Sequence, residues 1–195
     1  MILVRPSSEI WLKSESVRKK WEKVLVERIR AYGYRIRGGR GRLWIEDDLT
    51  PEQQEILKKT FGIDSFSICE RCDLKELEKY VLDFWERKGI RKGSFAVRVK
   101  RIGEHAFTSK EMEARLGSII LERYSLSVDL DSPDYTLYVE IRNGDCYIFD
   151  EIVKAVGGLP YGVEGKVVGL FSGGIDSPVA MWMMMRRGCE VIPVS

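Results

Sequence analysis

A glycine-containing loop between an apolar run and a helical pattern constrains the fold of this chain most. The apolar run Val167–Phe171 stops at Ser172-Gly173-Gly174, and an apolar helical pattern starts at Pro178. Adjacent glycines let the backbone turn sharply, so that successive N–H groups point into one concavity. At a helix N-terminus such a concavity favours an anion, because unpaired donors and the helix dipole point there. The sequence therefore predicts a strand–loop–helix cradle for phosphate.

The loop is not a Walker phosphate loop, because no lysine follows its glycines. The pattern Ser172-Gly-Gly-x-Asp176-Ser177 after an apolar run resembles instead the PP-loop of ATP pyrophosphatases. Those enzymes cleave ATP between its α- and β-phosphates and adenylate a substrate. The alternative interpretation is a strand-to-helix turn in which the glycines serve only backbone geometry.

The composition describes a globular chain with room for one or two domains. It has 195 residues, of which 44% are hydrophobic and 32% charged. No apolar stretch approaches the ~20 residues that span a bilayer, and residues 1–6 are too short for a signal peptide. We therefore expect a cytoplasmic location and no membrane partner. The single asparagine and two glutamines, with many Lys, Glu and Arg, favour a thermophilic source.

Charge is unevenly distributed along the chain. Residues 9–42 carry eleven Lys or Arg against four Glu, and residues 86–110 carry eight bases against two acids. Residues 125–151 carry one base and seven acids. Basic segments that alternate with an acidic one favour a polyanionic partner. The alternative is a pair of ordinary solvated helix faces with acidic loops.

Apolar periodicity predicts two α+β units before the loop. The first has the ferredoxin-like order β-α-β-β-α-β: a strand at Ile2–Val4, a helix from about Ser16 to Tyr32, a hairpin of Tyr34–Arg37 and Arg42–Glu46, a helix from Pro51 to about Thr60, and a strand at Ile63–Cys69. The second has a helix capped by Asp73 and Glu76, a strand at Ser94–Arg101, a helix capped by Thr108 and Glu111, and strands at about Leu126–Val128, Thr136–Arg142 and Cys146–Phe149.

The second unit resembles the THUMP domain of RNA-modifying enzymes, and the first resembles the ferredoxin-like domain that precedes THUMP in the tRNA sulfurtransferase (4-thiouridine synthetase) family. The resemblance to the THUMP domain lies in Phe95–Arg101, Gly103–Ser109, Leu116-Gly117, Val128–Leu130, Pro133-Asp134 and Val139–Arg142. The resemblance to the ferredoxin-like domain lies in Glu9–Lys13, Val17-Arg18 and Trp21-Glu22. Together the resemblances imply three domains. Residues 1–72 form a ferredoxin-like domain and residues 73–157 a THUMP domain, and residues 158–195 contain a linker and an incomplete α/β PP-loop domain of the adenine nucleotide alpha hydrolase-like type. Only one βαβ unit follows the linker, so we expect the chain to be incomplete for catalysis.

The resemblance implies ATP-dependent thiolation of a uridine in tRNA, with ATP, Mg²⁺ and a sulfur donor, either a cysteine desulfurase or inorganic sulfide. The bacterial family also supplies sulfur for thiamine, and a dimer is compatible with the sequence. Two alternatives stay open: a small-molecule ATP pyrophosphatase, such as an amidotransferase partner, and a stand-alone tRNA-binding module with an inactive phosphate loop.

The nucleotide site is expected at the phosphate loop and at the carboxyl ends of the two strands beside it. A carboxylate beside phosphates would repel them, so Asp176 is expected to act in catalysis through Mg²⁺. The alternative role of Asp176 is to cap the helix. The expected ATP-binding residues are Leu170, Phe171, Ser172, Gly173, Gly174, Asp176, Ser177 and Ser195, with Val194 a weaker candidate.

RNA contacts are expected from the two basic segments. His105, the only histidine, is either an RNA contact beside them or a loop residue without a role. The expected RNA-binding residues are Lys13, Arg18, Arg35, Arg37, Arg40, Arg42, Lys100, Arg101, His105, Ser109 and Lys110.

The four cysteines do not form a recognisable zinc site. Cys69 and Cys72 have C-x-x-C spacing, but no second pair or histidine cluster accompanies them. We expect either a disulfide or simple packing for this pair, and structural roles for Cys146 and Cys189. A catalytic cysteine is expected only beyond Ser195.

Overall fold

The chain packs as two compact units. The computed structural model describes residues 1–39 and 41–195, so Arg40, one of the predicted RNA-binding residues, lies outside the described part. One unit contains Met1–Ser67 together with Ile152–Ser195, and the other contains Ile68–Glu151. This packing places residues 68–72 in the second unit and residues 152–157 in the first; the three-domain division at 72 and 157 stays a prediction. None of the helices in the described ranges is both long and apolar enough to cross a membrane.

The first unit has the predicted ferredoxin-like order. Its sheet runs β10-β4-β1-β3-β2, where β10 is the short strand Val153–Lys154, with β1 antiparallel to β3 and the β2–β3 hairpin at one edge. The short helix α1, where the Ser7 hydroxyl accepts a hydrogen bond from the Glu9 amide, was not predicted. The elements are β1 (Ile2–Pro6), α1 (Ser8–Trp11), α2 (Glu15–Ala31), β2 (Ile36–Gly39), β3 (Arg42–Ile45), α3 (Pro51–Lys58) and β4 (Ile63–Ile68).

Helix α2 packs on this sheet through the predicted apolar stripe. Trp21, Leu25 and Ile29 recur at helical spacing and are buried against Ile2 and Val4 of β1 in one core cluster. Burial of side chains of this size stabilises each by roughly 1.5–3 kcal/mol. The hydrophobic pattern therefore determines which face of α2 covers the sheet.

The second unit is a separate sheet with the order β5-β9-β8-β6-β7. Strand β6 runs parallel to β8, and β8 pairs antiparallel with β9 across a turn in which Asn143 has a φ of 54°. Helices α4 and α5 bury Val81, Trp85 and Leu116 against the sheet. The elements are β5 (Glu70–Asp73), α4 (Leu77–Lys88), β6 (Ser94–Ile102), α5 (Ser109–Leu121), β7 (Ser127–Val128), β8 (Tyr135–Arg142) and β9 (Asp145–Phe149).

The edge strand β5 is the main difference from the predicted second unit. Residues 70–73 are mostly charged and show only one buried side chain, Cys72, so they carry no readable alternation. Asp73 caps a 3₁₀ turn at Leu74–Glu76, and α4 begins only at Leu77. The second predicted capping box, Thr108 with Glu111, is confirmed at the start of α5.

The phosphate-loop segment forms a strand–helix–strand unit after a short strand β10 (Val153–Lys154), which joins the first sheet beside β4. Strand β11 (Lys166–Leu170) runs parallel to β12 (Glu190–Val194), and α6 (Asp176–Arg186) connects them. A Cβ on Gly169 would lie 2.9 Å from Met181 Cε, so glycine permits α6 to approach β11 closely. The predicted βαβ unit is confirmed.

Residues 155–164, which we call the strap, overlap the start of the predicted linker and make backbone hydrogen bonds at both ends. The amides of Ala155, Val156 and Gly157 donate to carbonyls of Asp64, Lys58 and Ile63 in the first sheet and α3. Further along, the Leu159 amide donates to Arg186 O at the end of α6, and the Glu164 amide donates to Gly188 O. The strap therefore joins the ferredoxin-like sheet to the C-terminal end of α6 through its backbone.

Two glycines make the close contact between the strap and α6 possible. Gly158 has a φ of +74°, and a Cβ there would collide with the carbonyl oxygen of Arg186. Gly188 has a φ of +88°, and its Cβ would lie 2.8 Å from Val163 Cγ2. An ion pair of 2.5 Å between Arg187 and Glu9 adds a side-chain link from the end of α6 to α1.

We predict that Gly158→Ala destabilises the first unit more than Gly162→Ala. Both glycines have positive φ, but nothing lies within 4 Å of a Cβ on Gly162. The control Gly162→Ala should therefore lower the free energy of unfolding by only about 1–2 kcal/mol, through backbone strain. Gly158→Ala should lower it by about 1–3 kcal/mol more, because of the collision. Urea unfolding followed by tryptophan fluorescence reports mainly this unit, because four of the five tryptophans lie in it. Equal decreases in the free energy of unfolding for the two variants would contradict the close contact between Gly158 and the Arg186 carbonyl oxygen.

Candidate phosphate loop and nucleic-acid surfaces

The glycine loop lies between the carboxyl end of β11 and the N-terminus of α6. Gly173 has a φ of +77°, which a non-glycine residue adopts only with strain, and no atom lies within 4 Å of where its Cβ would be. The backbone at this position thus has open space in front of it. The geometry fits an anion at the start of a helix eleven residues long.

Two serine hydroxyls fix the shape of this loop. The Ser177 hydroxyl donates to Gly174 O at 3.2 Å and accepts from the Ser172 amide at 3.3 Å. The Ser172 hydroxyl lies 3.4 Å from the Ser177 hydroxyl. The two serines predicted to bind phosphate are therefore brought together across the loop, on either side of Gly173 and Gly174.

Asp176 is the first residue of α6 and does not cap it. The cap position is Ile175, which makes no side-chain cap hydrogen bond, so the alternative role of Asp176 as a helix cap is wrong. The helix begins one residue earlier than that role requires. Within the described residues the Asp176 carboxylate is exposed and has no hydrogen-bond or ion-pair partner. It stays available for a cation beside the loop.

The predicted adenine-side residues lie at the carboxyl ends of β11 and β12. Leu170 pairs with Val194 in the parallel register, and the Phe171 amide donates to Val194 O at 2.7 Å. Ser195 follows directly. The structure thus brings these four residues to the same sheet edge as the glycine loop, as expected for parallel strands.

The strands and helix around the loop expose large apolar side chains. Leu170 and Ile175 are 78% and 81% exposed, and no residue of α6 is buried in the described structure. Exposed apolar patches of this extent mark surfaces that pack against other protein elements. The exposed apolar residues of this patch are Val168, Leu170, Phe171, Ile175, Val179, Trp182, Met183, Met184, Ile192 and Val194.

The basic residues of the first unit are not equally available to a partner. The Arg35 guanidinium donates to the Asp47 carboxylate at 2.8 Å, and the Arg35 amide donates to it at 2.7 Å. These bonds hold the pKa of Asp47 below its usual value. Arg37 instead lies over the Trp44 ring, 5.4 Å from its centroid, and has no ion-pair partner among the described residues. Arg42 donates to Gly41 O at 2.8 Å.

Two further predicted RNA-binding residues of this unit stack on tryptophans. Lys13 lies 5.0 Å from the centroid of Trp21, and Arg18 lies 4.8 Å from the centroid of Trp11. A Cβ on Gly41 would lie 2.6 Å from the Trp11 ring, so α1 also supports the β2–β3 hairpin. Cation–π contacts hold these charges at fixed positions on the surface.

The predicted basic residues of the second unit surround the loop from β6 to α5. Arg101 donates to His105 O at 3.2 Å, and a ring nitrogen of His105 lies 3.3 Å from Ile102 O. The capping box of Thr108 then fixes the position of Ser109 and Lys110. Lys100 is exposed on β6, opposite Glu140 in the register. We call these residues, at the end of β6, in the loop and at the start of α5, the second basic cluster.

A groove of about 540 Å³ beside this cluster was not found from the sequence. It lies between β6 and α5, and Lys110 and Arg98 contribute charge while Leu121, Val128 and Leu130 contribute apolar surface. Gly117 leaves α5 without a side chain at the groove. Single-sequence patterns do not reveal it, because it depends on the spacing between a helix and a strand.

All four cysteines are free and buried. Cys69 and Cys72 therefore pack rather than form a disulfide with each other, and Cys146 and Cys189 are structural in position, as predicted. Within the described residues no group of three or more His, Cys, Asp or Glu is arranged to hold a metal ion. The sequence did not reveal that Cys72 lies directly opposite Cys146 on β5 and β9.

Family models match three consecutive segments of the chain. The ThiI ferredoxin-like domain matches residues 1–67, the THUMP domain residues 71–151, and Thiamine biosynthesis protein (ThiI) residues 162–195. The fold and the site define a THUMP-domain protein with a PP-loop. The chain belongs to the ThiI family, in agreement with the resemblance of its motifs.

Curated relatives and solved structures agree with this assignment. A "Probable tRNA sulfurtransferase" of Saccharolobus solfataricus is 44% identical over 192 residues, which cover 96% of this chain and 52% of the relative. A "Probable tRNA sulfurtransferase" of Methanothermobacter thermautotrophicus is 38% identical over 202 residues, which cover 99% of this chain and 52% of the relative. The chain thus spans about half the length of the curated relatives it matches.

Two solved structures are similar over almost the whole chain. A 4-thiouridine synthetase–RNA complex with bound ATP is 36% identical with a TM-score of 0.80, covering 98% of this chain and 51% of that one. PH1313 from Pyrococcus horikoshii is 29% identical with a TM-score of 0.82, and the match covers 98% of this chain and 67% of PH1313. The predicted fold class of ferredoxin-like and THUMP domains is confirmed.

We predict that Arg37→Gln weakens tRNA binding more than Arg35→Gln. Asp47 already neutralises Arg35, whereas Arg37 has no such partner among the described residues. Loss of one phosphate contact should lower the slope of log K against log salt by about 1. Binding of the full chain to tRNA should be titrated at several salt concentrations. Equal slopes for Arg37→Gln and the unsubstituted chain would remove Arg37 from the interface.

Proposed function

We propose that this chain is part of an ATP-dependent tRNA sulfurtransferase that adenylates and thiolates a uridine to 4-thiouridine. The observation that carries the proposal is the combination of a THUMP domain with a PP-loop whose serines and glycines form an open cradle. A small substrate needs no basic THUMP domain, which disfavours the small-molecule ATP pyrophosphatase.

In this proposal the two basic clusters hold tRNA. The first cluster lies around the β2–β3 hairpin with Lys13 and Arg18, and the second around the β6–α5 loop with Lys100, Arg101, His105, Ser109 and Lys110. Structured RNA is bound mainly through its backbone and shape, which suits cations spread over two domains. The solved complex of a 4-thiouridine synthetase with RNA supports tRNA as the partner.

The phosphate loop binds ATP in this proposal and positions it for adenylation. Uridine O4 is a poor leaving group, so O4 attacks the α-phosphorus of ATP and pyrophosphate leaves. The backbone amides near Gly173 and the hydroxyls of Ser172 and Ser177 bind the leaving pyrophosphate and stabilise its charge. The bound ATP in the related synthetase supports this role. Sulfur from a donor, a desulfurase or sulfide, then replaces AMP at C4.

In this proposal Asp176 binds the magnesium ion that adenylation also requires. Its exposed carboxylate stands alone beside the loop, and Mg²⁺ is commonly held by one or two carboxylates together with substrate phosphates. When bound, Mg²⁺ neutralises charge on the transferring phosphates. The side chain of Asp176 would hold the ion; the neighbouring serines and amides bind the phosphates directly.

The stand-alone tRNA-binding module is disfavoured by the exposed apolar patch. In a stand-alone module the exposed side chains of Leu170, Ile175 and Met183 would promote aggregation, because nothing would cover them. We propose that further α/β elements of a longer enzyme cover them. The catalytic cysteine, the dimer, a cytoplasmic location and any role in thiamine synthesis belong to the same proposal.

We predict that Asp176→Ala in the full-length enzyme abolishes 4-thiouridine formation and leaves tRNA affinity unchanged within about twofold. The carboxylate lies in the loop and belongs to neither basic cluster, and loss of a metal-positioning group costs the transition state several kcal/mol. Thiolation is followed by the absorbance of 4-thiouridine in tRNA, and affinity is measured in parallel.

The matched control is Glu164→Ala, which removes an exposed carboxylate of the same unit outside the loop. It should keep full activity. Full activity in Asp176→Ala would contradict the metal role, whereas lost tRNA affinity would contradict the separation of the two sites.

A further inference from the structure

Cys72 and Cys146 form a pair of buried thiols across the edge of the second sheet. They are direct Cα partners in the antiparallel pairing of β5 with β9. Both belong to the core cluster of that unit, with exposures of 6% and 0%. Side chains at opposite positions of two strands point to the same face, so the two sulfurs meet inside the core.

The distances of this register suit a covalent link. Directly opposite residues in an antiparallel pair have Cα atoms about 4.5–5.5 Å apart, and disulfides bridge Cα separations of about 4.4–6.8 Å. The two thiols lie close enough for each to shift the pKa of the other.

The position of the pair gives a disulfide a structural purpose. Strand β5 has four residues and lies at the edge of the sheet, with β9 as its neighbour. Short edge strands open locally at low free energy. A bond from Cys72 to Cys146 would pin β5 and close a loop that contains almost all of the second unit, which restricts the unfolded chain strongly.

We propose that Cys72 and Cys146 form a structural disulfide that stabilises the THUMP unit. The composition supports it, because the chain has one asparagine and two glutamines, and intracellular proteins of hyperthermophiles are often disulfide-rich. Cys69 lies just before β5 and Cys189 just before β12, and both stay reduced in this proposal.

The oxidant is a small-molecule disulfide, such as oxidised glutathione. The Cys72 thiolate attacks one sulfur of the oxidant, and one small thiol leaves. Cys146 then loses its proton and attacks Cys72 Sγ, which releases the second small thiol; two protein thiols are oxidised and one disulfide is reduced. Cys72 is the first nucleophile because it is the more exposed of the two thiols, at 6% against 0% for Cys146.

The test compares the full chain refolded with oxidised glutathione and with a reductant. Thiol titration in denaturant should fall from four free thiols to two, and peptide mapping should find residues 72 and 146 in one linked peptide. The melting temperature of the second unit should rise by about 10 °C or more on oxidation. Four remaining thiols, or a link that involves Cys69 or Cys189, would overturn the proposal.

Single substitutions separate this disulfide from general oxidation. Cys72→Ser should abolish the rise in melting temperature, and Cys189→Ser should keep it. Mapping of the unsubstituted chain decides the pairing even if Cys72→Ser folds poorly. A rise in melting temperature that persists in Cys72→Ser would contradict the pair as its source.

Discussion

The backbone of the strap, residues 155–164, is the connection on which the rest of this structure depends. Its amides bond to the first sheet at one end and to the end of α6 at the other. These are main-chain bonds, and they require that Gly158 and Gly188 carry no side chain. The phosphate loop is thus carried on the same compact unit as the ferredoxin-like sheet. The proposed ATP site and the basic residues of the β2–β3 hairpin therefore belong to one compact unit.

The loop unit itself is stabilised less by burial than either sheet. Its strands pair in parallel and its helix reaches close to β11 only because Gly169 makes room for Met181. The apolar surface that remains exposed is what a doubly covered α/β sheet would bury. In the proposed enzyme the same strand–loop–helix segment therefore has two roles: its loop binds phosphate, and its apolar side chains pack against further α/β elements.

The sequence predicted the units that have clear periodicity. Helix α2, the β2–β3 hairpin and the capping box of Thr108 follow from apolar spacing and local hydrogen bonds, and the loop follows from Ser172 to Ser177. Strand β5 and the strap were missed because their residues are charged or glycine-rich and are ordered by distant partners. Asp176 was correctly placed beside the loop, but only the structure excluded its role as a cap. The pairing of Arg35 with Asp47 also depends on tertiary folding.

The central claim is that phosphate binding and RNA binding occur at separate, predefined places in this chain. Hydrogen exchange of the full-length enzyme, with a non-hydrolysable ATP analogue and with tRNA in turn, tests it most directly. The analogue should protect amides 172–177 and leave 98–110 unchanged, and tRNA should protect 98–110 and the β2–β3 hairpin. Protection of 98–110 by the analogue, or no protection of 172–177, would contradict the claim.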